Sequence, residues 1–175
     1  MPSARGTLHW IPAGDRLDLL AGTVSAALDA VPEGLVSPID ADLADTAAFC
    51  EAYDVALEAS ANCVVVAGRR GDVTRYAAVM VRATDRADIN NVVRRRLDVR
   101  RISFAAHDDA VRLTGMEFGG ITPIGLPLDW PIFVDTAVAS LDEAVIGSGR
   151  RRSKLLVSGS ALAALPGAEI LDLTR

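Results

Sequence analysis

Three stretches of the chain combine residue types and spacings that could do chemistry. The first is Phe118-Gly119-Gly120-Ile121-Thr122-Pro123-Ile124-Gly125-Leu126-Pro127, with three glycines and two prolines in ten residues. Glycine lets the main chain approach a ligand closely, and proline fixes φ and removes a donor, so the remaining N–H and C=O groups can be aimed in advance. Such a loop suits recognition of a carbonyl or a ribose hydroxyl by backbone groups; an ordinary surface crossing would have the same composition. The second stretch runs from Ile146-Gly147-Ser148-Gly149 into Arg150-Arg151-Arg152-Ser153-Lys154. Its clustered cations match the phosphates of a nucleic acid, and Arg150 and Arg151 offer the bidentate fork that phosphate favours. Ser148 is a weaker phosphate candidate, because serines in glycine-rich turns commonly satisfy the turn itself. In the third stretch, Ser60-Ala61-Asn62-Cys63-Val64-Val65-Val66, an amide and a thiol lie on a β-branched run. No histidine is near Cys63 in sequence to activate it, and strand alternation turns it away from Asn62 toward a core, so it reads as a buried apolar residue.

These stretches need a scaffold, and 175 residues provide one domain with one substantial core. Mean hydropathy is +0.27, yet no apolar run approaches the roughly 20 residues that cross a bilayer. The first residues carry no secretion pattern, so a cytoplasmic location is expected. Cys50 and Cys63 are too few for a disulfide scaffold, and His9 and His107 have no neighbouring second ligand; no metal and no organic cofactor are expected. The formal net charge is −5, but residues 1–60 hold ten carboxylates against two arginines, whereas residues 61–175 are mildly basic. That basic charge is clustered in Arg94-Arg95-Arg96, Arg100-Arg101 and Arg150-Arg151-Arg152, which fits either a polyanion or a solvated surface.

Apolar periodicity assigns the elements. Leu17, Leu20, Val24, Leu28 and Val31 recur at three- and four-residue steps, predicting an amphipathic helix over 15–31 before Pro32-Glu33-Gly34 ends it. A second helix is expected over 43–53. The run Cys63–Ala67, a glycine-rich turn at 68–72 and the stretch 74–83 form a hairpin. Thr84-Asp85 reads as the cap of a helix whose apolar face is Ile89, Val92, Val93 and Leu97. Beyond it come a strand at 101–105, a short helix over 107–114 stopped by Gly115, strands at 131–135, 144–146 and 154–157, a short helix near 161–165 and a last strand at 169–173. Hairpins mixed with helices favour a mixed α/β sheet fold over regular βαβ repetition.

Taken together, Gly119-Gly120-Ile121-Thr122-Pro123-Ile124-Gly125-Leu126-Pro127, then Ile132-Phe133-Val134-Asp135, then Ile146-Gly147-Ser148-Gly149-Arg150-Arg151 resemble the YbaK-like family of aminoacyl-tRNA editing domains. The likeness extends from about residue 45 to 172, with the family's glycine-x-x-x-proline element on Gly119 and Pro123. The resemblance implies a YbaK-like mixed α/β domain over 41–175, with 1–40 as a helical extension packed on it. The extension could also cover the pocket or pair two copies into a homodimer. The implied activity is hydrolysis of the ester joining a wrong amino acid to the acceptor end of tRNA. Gly119, Gly120, Ile121, Thr122 and Pro123, with Gly147, Ser148 and Gly149, then bind the aminoacyl end. Arg150, Arg151 and Lys154 meet tRNA phosphates. Asp135 anchors or orients a water in the pocket, or else simply caps its strand end. One departure matters: the family usually carries a lysine near the start of the first core strand, and Asn62 stands in its place. The lysine's described role is to hold the ester or the tRNA terminus by charge, which an uncharged amide cannot match. Lys154 is the only lysine of the chain, and Arg69, Arg70 and Arg75 fall on the hairpin turn or its outward face. Two readings follow. Asn62 donates to the ester carbonyl in a working deacylase, which preorganised backbone donors favour; or the fold is a binding module that has lost hydrolysis.

Overall fold

The hairpin organises the molecule, whose computed structural model describes residues 1–174. Strands β3 (Ala61–Arg70) and β4 (Val73–Arg82) pair antiparallel along their whole length, around a two-residue turn in which Gly71 takes φ +61°. Alternation sends Ala61, Cys63 and Val65 to one face and Val64 and Val66 to the other. Strand β5 (Arg101–Phe104) joins β3 on one side, and β6 (Ile132–Asp135) followed by β9 (Ala168–Leu171) extends the sheet beyond β4 in parallel. The resulting order is β5-β3-β4-β6-β9. A second, antiparallel sheet has the order β1-β2-β8-β7, made of Ile11–Pro12, Leu35–Pro38, Ser153–Val157 and Ala144–Gly147. A single parallel bridge between Ser60 and Val145 joins the two sheets edge to edge.

The main core lies between the sheets, where Met80, Ile132 and Val134 meet Ile146, Leu155 and Val157. Val66, Val79 and Phe133 fill the opposite face of the five-stranded sheet against Val93, Leu97 and Val99. Each such fully buried side chain contributes roughly 1.5–3 kcal/mol. The outer face of the four-stranded sheet presents Val145 and Leu156 to Phe49 and Cys50 of helix α2 (Thr46–Tyr53). The Asp45 carboxylate caps α2 by accepting the N–H of Ala47, and the helix ends at Asp54 in the left-handed conformation.

Two expected helices are altered by tertiary contacts. The periodic stretch 15–31 is not one helix but a succession of turns around α1 (Gly22–Ala26), with bonds such as Leu19 N–H to Arg16 O and Ala30 N–H to Ala27 O. These three-residue steps still bury Leu20, Val24 and Val31. The helix breaks because Leu20 and Ala21 are extended and residues 19–21 are held by the turn after β7: Ala21 N–H donates to Ser148 O, the Ser153 hydroxyl to Leu19 O and the Arg150 Nε–H to Leu20 O. The residues that follow supply β2, between β1 and β8, so the N-terminal region completes a sheet. Thr84-Asp85 does not cap the next helix, because Asp85 is paired with Arg82 at 2.7 Å. The Asp88 carboxylate caps instead, accepting from Asn91 N–H, and a wide turn at Ile89–Val93 leads into α3 (Arg94–Arg96). Helix α4 (His107–Thr114) stops at Gly115 with φ +69°, as its sequence predicts. Two short helices, α5 (Thr136–Ala139) and α6 (Gly159–Ala163), pack behind β6 and β9.

Candidate functional site

The site arises where the two sheets part. Strand β5 pairs with Val66–Arg69 only, and the Ala105 N–H bonds to Val65 O, so among the described residues the outer edge of Ala61–Val64 has no strand partner. The Ser60–Val145 bridge pins the near end, and beyond it β3 and β7 diverge. Between them lies a half-open cavity of about 470 Å³. One wall is the uncovered edge of β3 with Asn62 and Cys63, and a second is Val145, Ile146 and Gly147 of β7. Gly119 and Ile121 of the glycine loop, Phe118, Ala110 of α4, and Phe104 close one side. Ala44, Asp45 and Thr46, at the start of α2, close the other together with Lys154 of β8. Main-chain edges and apolar side chains dominate, with few polar groups, as in most small-molecule sites.

The glycine loop is fitted tightly to the β7–β8 turn. Gly149 N–H donates to Gly120 O at 2.7 Å, and a Cβ on Gly147 would stand 2.4 Å from Gly120 O and 2.7 Å from Ile121 O. A Cβ on Gly120 would meet the backbone of Arg150 at 2.8 Å, and Gly119 takes φ +92°. Glycine is required at these positions by close approach and positive φ. Gly119 and Ile121 therefore face the cavity, while Gly120, Thr122 and Pro123 are buried behind them. Pro123 lines a separate apolar groove with Ile124 and Leu126. Thr122 holds a buried hydroxyl without a hydrogen-bond partner among the described residues.

Among the residues expected from sequence, the structure brings Asn62, Gly119, Ile121, Gly147 and Lys154 together on one cavity and separates the rest. The Thr46 hydroxyl donates to Asn62 Oδ1 at 2.9 Å, so the amide nitrogen is the end left to donate into the site. Asp135 is not in the cavity. It is buried at the end of β6, its Oδ2 accepting Ala137 N–H to cap α5 and its Oδ1 accepting Leu173 N–H at 2.9 Å. Both carboxylate oxygens are occupied by the fold, which removes Asp135 as a water-positioning group. Ser148 and Gly149 lie behind Gly147, where the Ser148 hydroxyl donates to backbone carbonyls in the turn. Arg150 donates from Nε to Leu20 O, and Arg151 donates from Nη2 to Ala41 O, its backbone N–H bonding Glu117. Through one N–H each, these guanidiniums tie the turn to the chain.

Lys154 departs furthest from its expected surface role. It is buried, its Nζ donates to Ala44 O at 3.2 Å, and it lies 5.1 Å from the centre of the Phe49 ring. Burial pushes its ammonium below the usual lysine range. Cys63 lies on the cavity wall, where burial pushes its thiol up to about 12, so it is protonated and a poor nucleophile. The start of α2 was absent from the sequence-based candidates. The Asp45-Thr46 pair signals a helix cap, but nothing in that signal says that the cap abuts β3.

The class of protein is a mixed two-sheet α/β domain with a main-chain-lined cleft at the parting of its sheets. The chain belongs to the aminoacyl-tRNA editing domain family, whose model matches residues 40–165. Among solved structures it is similar to a proposed trans-editing enzyme for prolyl tRNA synthetase, with TM-score 0.75, 22% identity, and 89% of this chain and 96% of that one covered. A scaffold used for computational epitope grafting is similar at TM-score 0.74 and 22% identity, covering 89% and 97% of the two chains. A third, a hypothetical protein, has TM-score 0.70 and 21% identity, covering 80% and 90% of the two chains. At these identities the structures establish the shared fold. Comparison with curated protein sequences returns no match.

Proposed function

We propose that this chain is an aminoacyl-tRNA deacylase acting in trans in the cytoplasm, hydrolysing the ester that joins a wrong amino acid to the acceptor end of a tRNA. The observation that carries this reading is the convergence of Asn62, the Gly119–Ile121 backbone and Gly147 on the uncovered edge of β3 in one cavity. An aminoacyl ester is already activated, so positioning supplies much of the rate. The aminoacyl end enters the cleft with its carbonyl toward the Asn62 amide nitrogen and the main-chain donors, while the apolar walls Val145, Ile146 and Phe104 take the side chain. Water adds to the carbonyl carbon, and the tetrahedral intermediate then expels the ribose oxygen, which leaves with a proton. The donors stabilise the intermediate's oxyanion. Cys63, held as a thiol, takes no covalent part.

Incubation with a panel of mischarged tRNAs tests this. Amino acid released above the spontaneous rate for at least one of them is expected. Tight, salt-sensitive tRNA binding without release from any pair overturns the deacylase reading in favour of a binding module.

A further inference from the structure

The cavity holds one buried cation, and among the described residues no ion pair balances it. Among the described residues no carboxylate lies within ion-pair distance of the Lys154 ammonium; its contacts are the Ala44 carbonyl and the Phe49 ring. One carbonyl occupies one of three N–H donors, so two remain. Removing an ammonium from water without a counter-charge is costly, and a hydrophobic side chain would fill the same space against Phe49 more cheaply. A fold that keeps such a group at a cavity wall has a use for its charge.

Its location specifies the use. Lys154 and Asn62 come from different sheets but flank the same three residues, Ala44 to Thr46: Nζ bonds the Ala44 carbonyl, and Asn62 accepts from the Thr46 hydroxyl. Both line the same cavity. Strand β8 directs Lys154 there because it alternates with Ser153 and Leu155, which face the inter-sheet core, and because its register partner Gly147 has no side chain to block the way.

We propose that Lys154, reaching the cleft from the second sheet, is the catalytic cation of this site and binds the developing oxyanion of the ester beside the Asn62 amide. The proposal rests on the deacylase reading. The lysine missing from β3 is then replaced from across the cleft, and the uncharged Asn62 becomes its partner. The groups facing the ammonium agree with this role. Desolvation dominates and holds it below the ordinary lysine range, Arg151 opposes its charge as well, and Asp45, at the cap of α2, favours it. The protonated form remains the one that binds an oxyanion, so release falls at alkaline pH.

The test compares the unmodified protein with Lys154→Met, Lys154→Arg and the double variant Lys154→Met/Asn62→Lys, on a mischarged tRNA that the unmodified protein deacylates. Lys154→Met is expected to lower kcat about 10²- to 10³-fold, as for loss of one oxyanion donor, with KM within about threefold and a melting temperature equal or higher. The double variant is expected to recover at least about tenfold of the lost rate. In the unmodified protein the rate has an alkaline limb below the ordinary lysine range, which disappears in Lys154→Met. Release by Lys154→Met within about threefold of the unmodified rate overturns the assignment while leaving the deacylase reading intact. So does a loss of rate accompanied by a lower melting temperature and no recovery in the double variant, which marks a structural lysine. Absence of release by the unmodified protein on every substrate overturns both.

Discussion

Substituting Gly147 by alanine isolates the fit between the glycine loop and the β7–β8 turn. Gly147 does not sit at positive φ, so alanine suits its own backbone. The cost comes from the neighbours: the new methyl would stand 2.4 Å from Gly120 O and 2.7 Å from Ile121 O, where ordinary contact begins at 3.4 Å. The loop must therefore retreat by about 1 Å, the difference between those contact distances. The retreat weakens the Gly149 N–H to Gly120 O bond of 2.7 Å, worth about 1 kcal/mol, and adds overpacking of about 1–3 kcal/mol. A loss of about 2–4 kcal/mol lowers the melting temperature of a domain this size by roughly 4–16 °C. The same 1 Å displaces the Gly119 and Ile121 backbone that lines the cavity, and a misplacement of that size costs on the order of 10²-fold in rate. Thermal unfolding followed by circular dichroism and amino acid release from mischarged tRNA, measured well below the melting temperature, read the two effects separately. Gly22→Ala serves as the control, since a Cβ there meets nothing within 4 Å. Gly147→Ala with an unchanged melting temperature and an unchanged rate would refute the claim that this contact sets the loop's position.

Asp135→Ala leaves the Ala137 and buried Leu173 N–H groups unpaired, and is expected to cost about 2–4 kcal/mol by denaturant titration; a large fall in kcat of the folded variant would return Asp135 to the site. With its thiol at about 12, Cys63 is expected to react with iodoacetamide at neutral pH roughly three orders of magnitude more slowly than an ordinary cysteine. Mass spectrometry of the labelled protein measures this, and labelling at the rate of a free thiol contradicts it. Arg150→Met removes the bond to Leu20 O and is expected to cost about 1–2 kcal/mol of stability without changing the salt dependence of tRNA binding; a slope reduced by about one would mark Arg150 as a phosphate contact. Because the folded-state pKa of Lys154 lies below its unfolded value, the unfolded chain holds more protons between the two, and stability rises with pH across that window. Denaturant titrations should accordingly show Lys154→Met losing its stability advantage over the unmodified protein as pH climbs through the window; a difference independent of pH contradicts the buried-cation account.

Much of the local structure could be read along the chain. The β-branched run at 63–67 with its glycine turn specified the hairpin, Gly115 stopped α4, and the ordered blocks around Gly119, Ile132 and Gly147 carried the family, because each signal depends on neighbours in sequence. The periodic apolar residues over 17–31 were equally clear and predicted the wrong element. A three-residue step suits a chain of tight turns as well as a helix, and the deciding bonds come from Ser148, Arg150 and Ser153, far away in sequence. The site divides in the same way. That Gly119 and Ile121 could present backbone to a ligand follows from their composition, and Asn62 was marked by its place on the first core strand. Whether Asp135 faces a cavity or caps a helix, and whether Lys154 meets solvent or the wall beside Asn62, depends on which strand covers which edge and which helix lies on which face. Those are nonlocal pairings, and alternation along a strand says only that neighbouring side chains point opposite ways, not what waits on either side. The chain therefore determined most of its elements and its family; packing broke the expected helix over 15–31 and turned the single lysine inward.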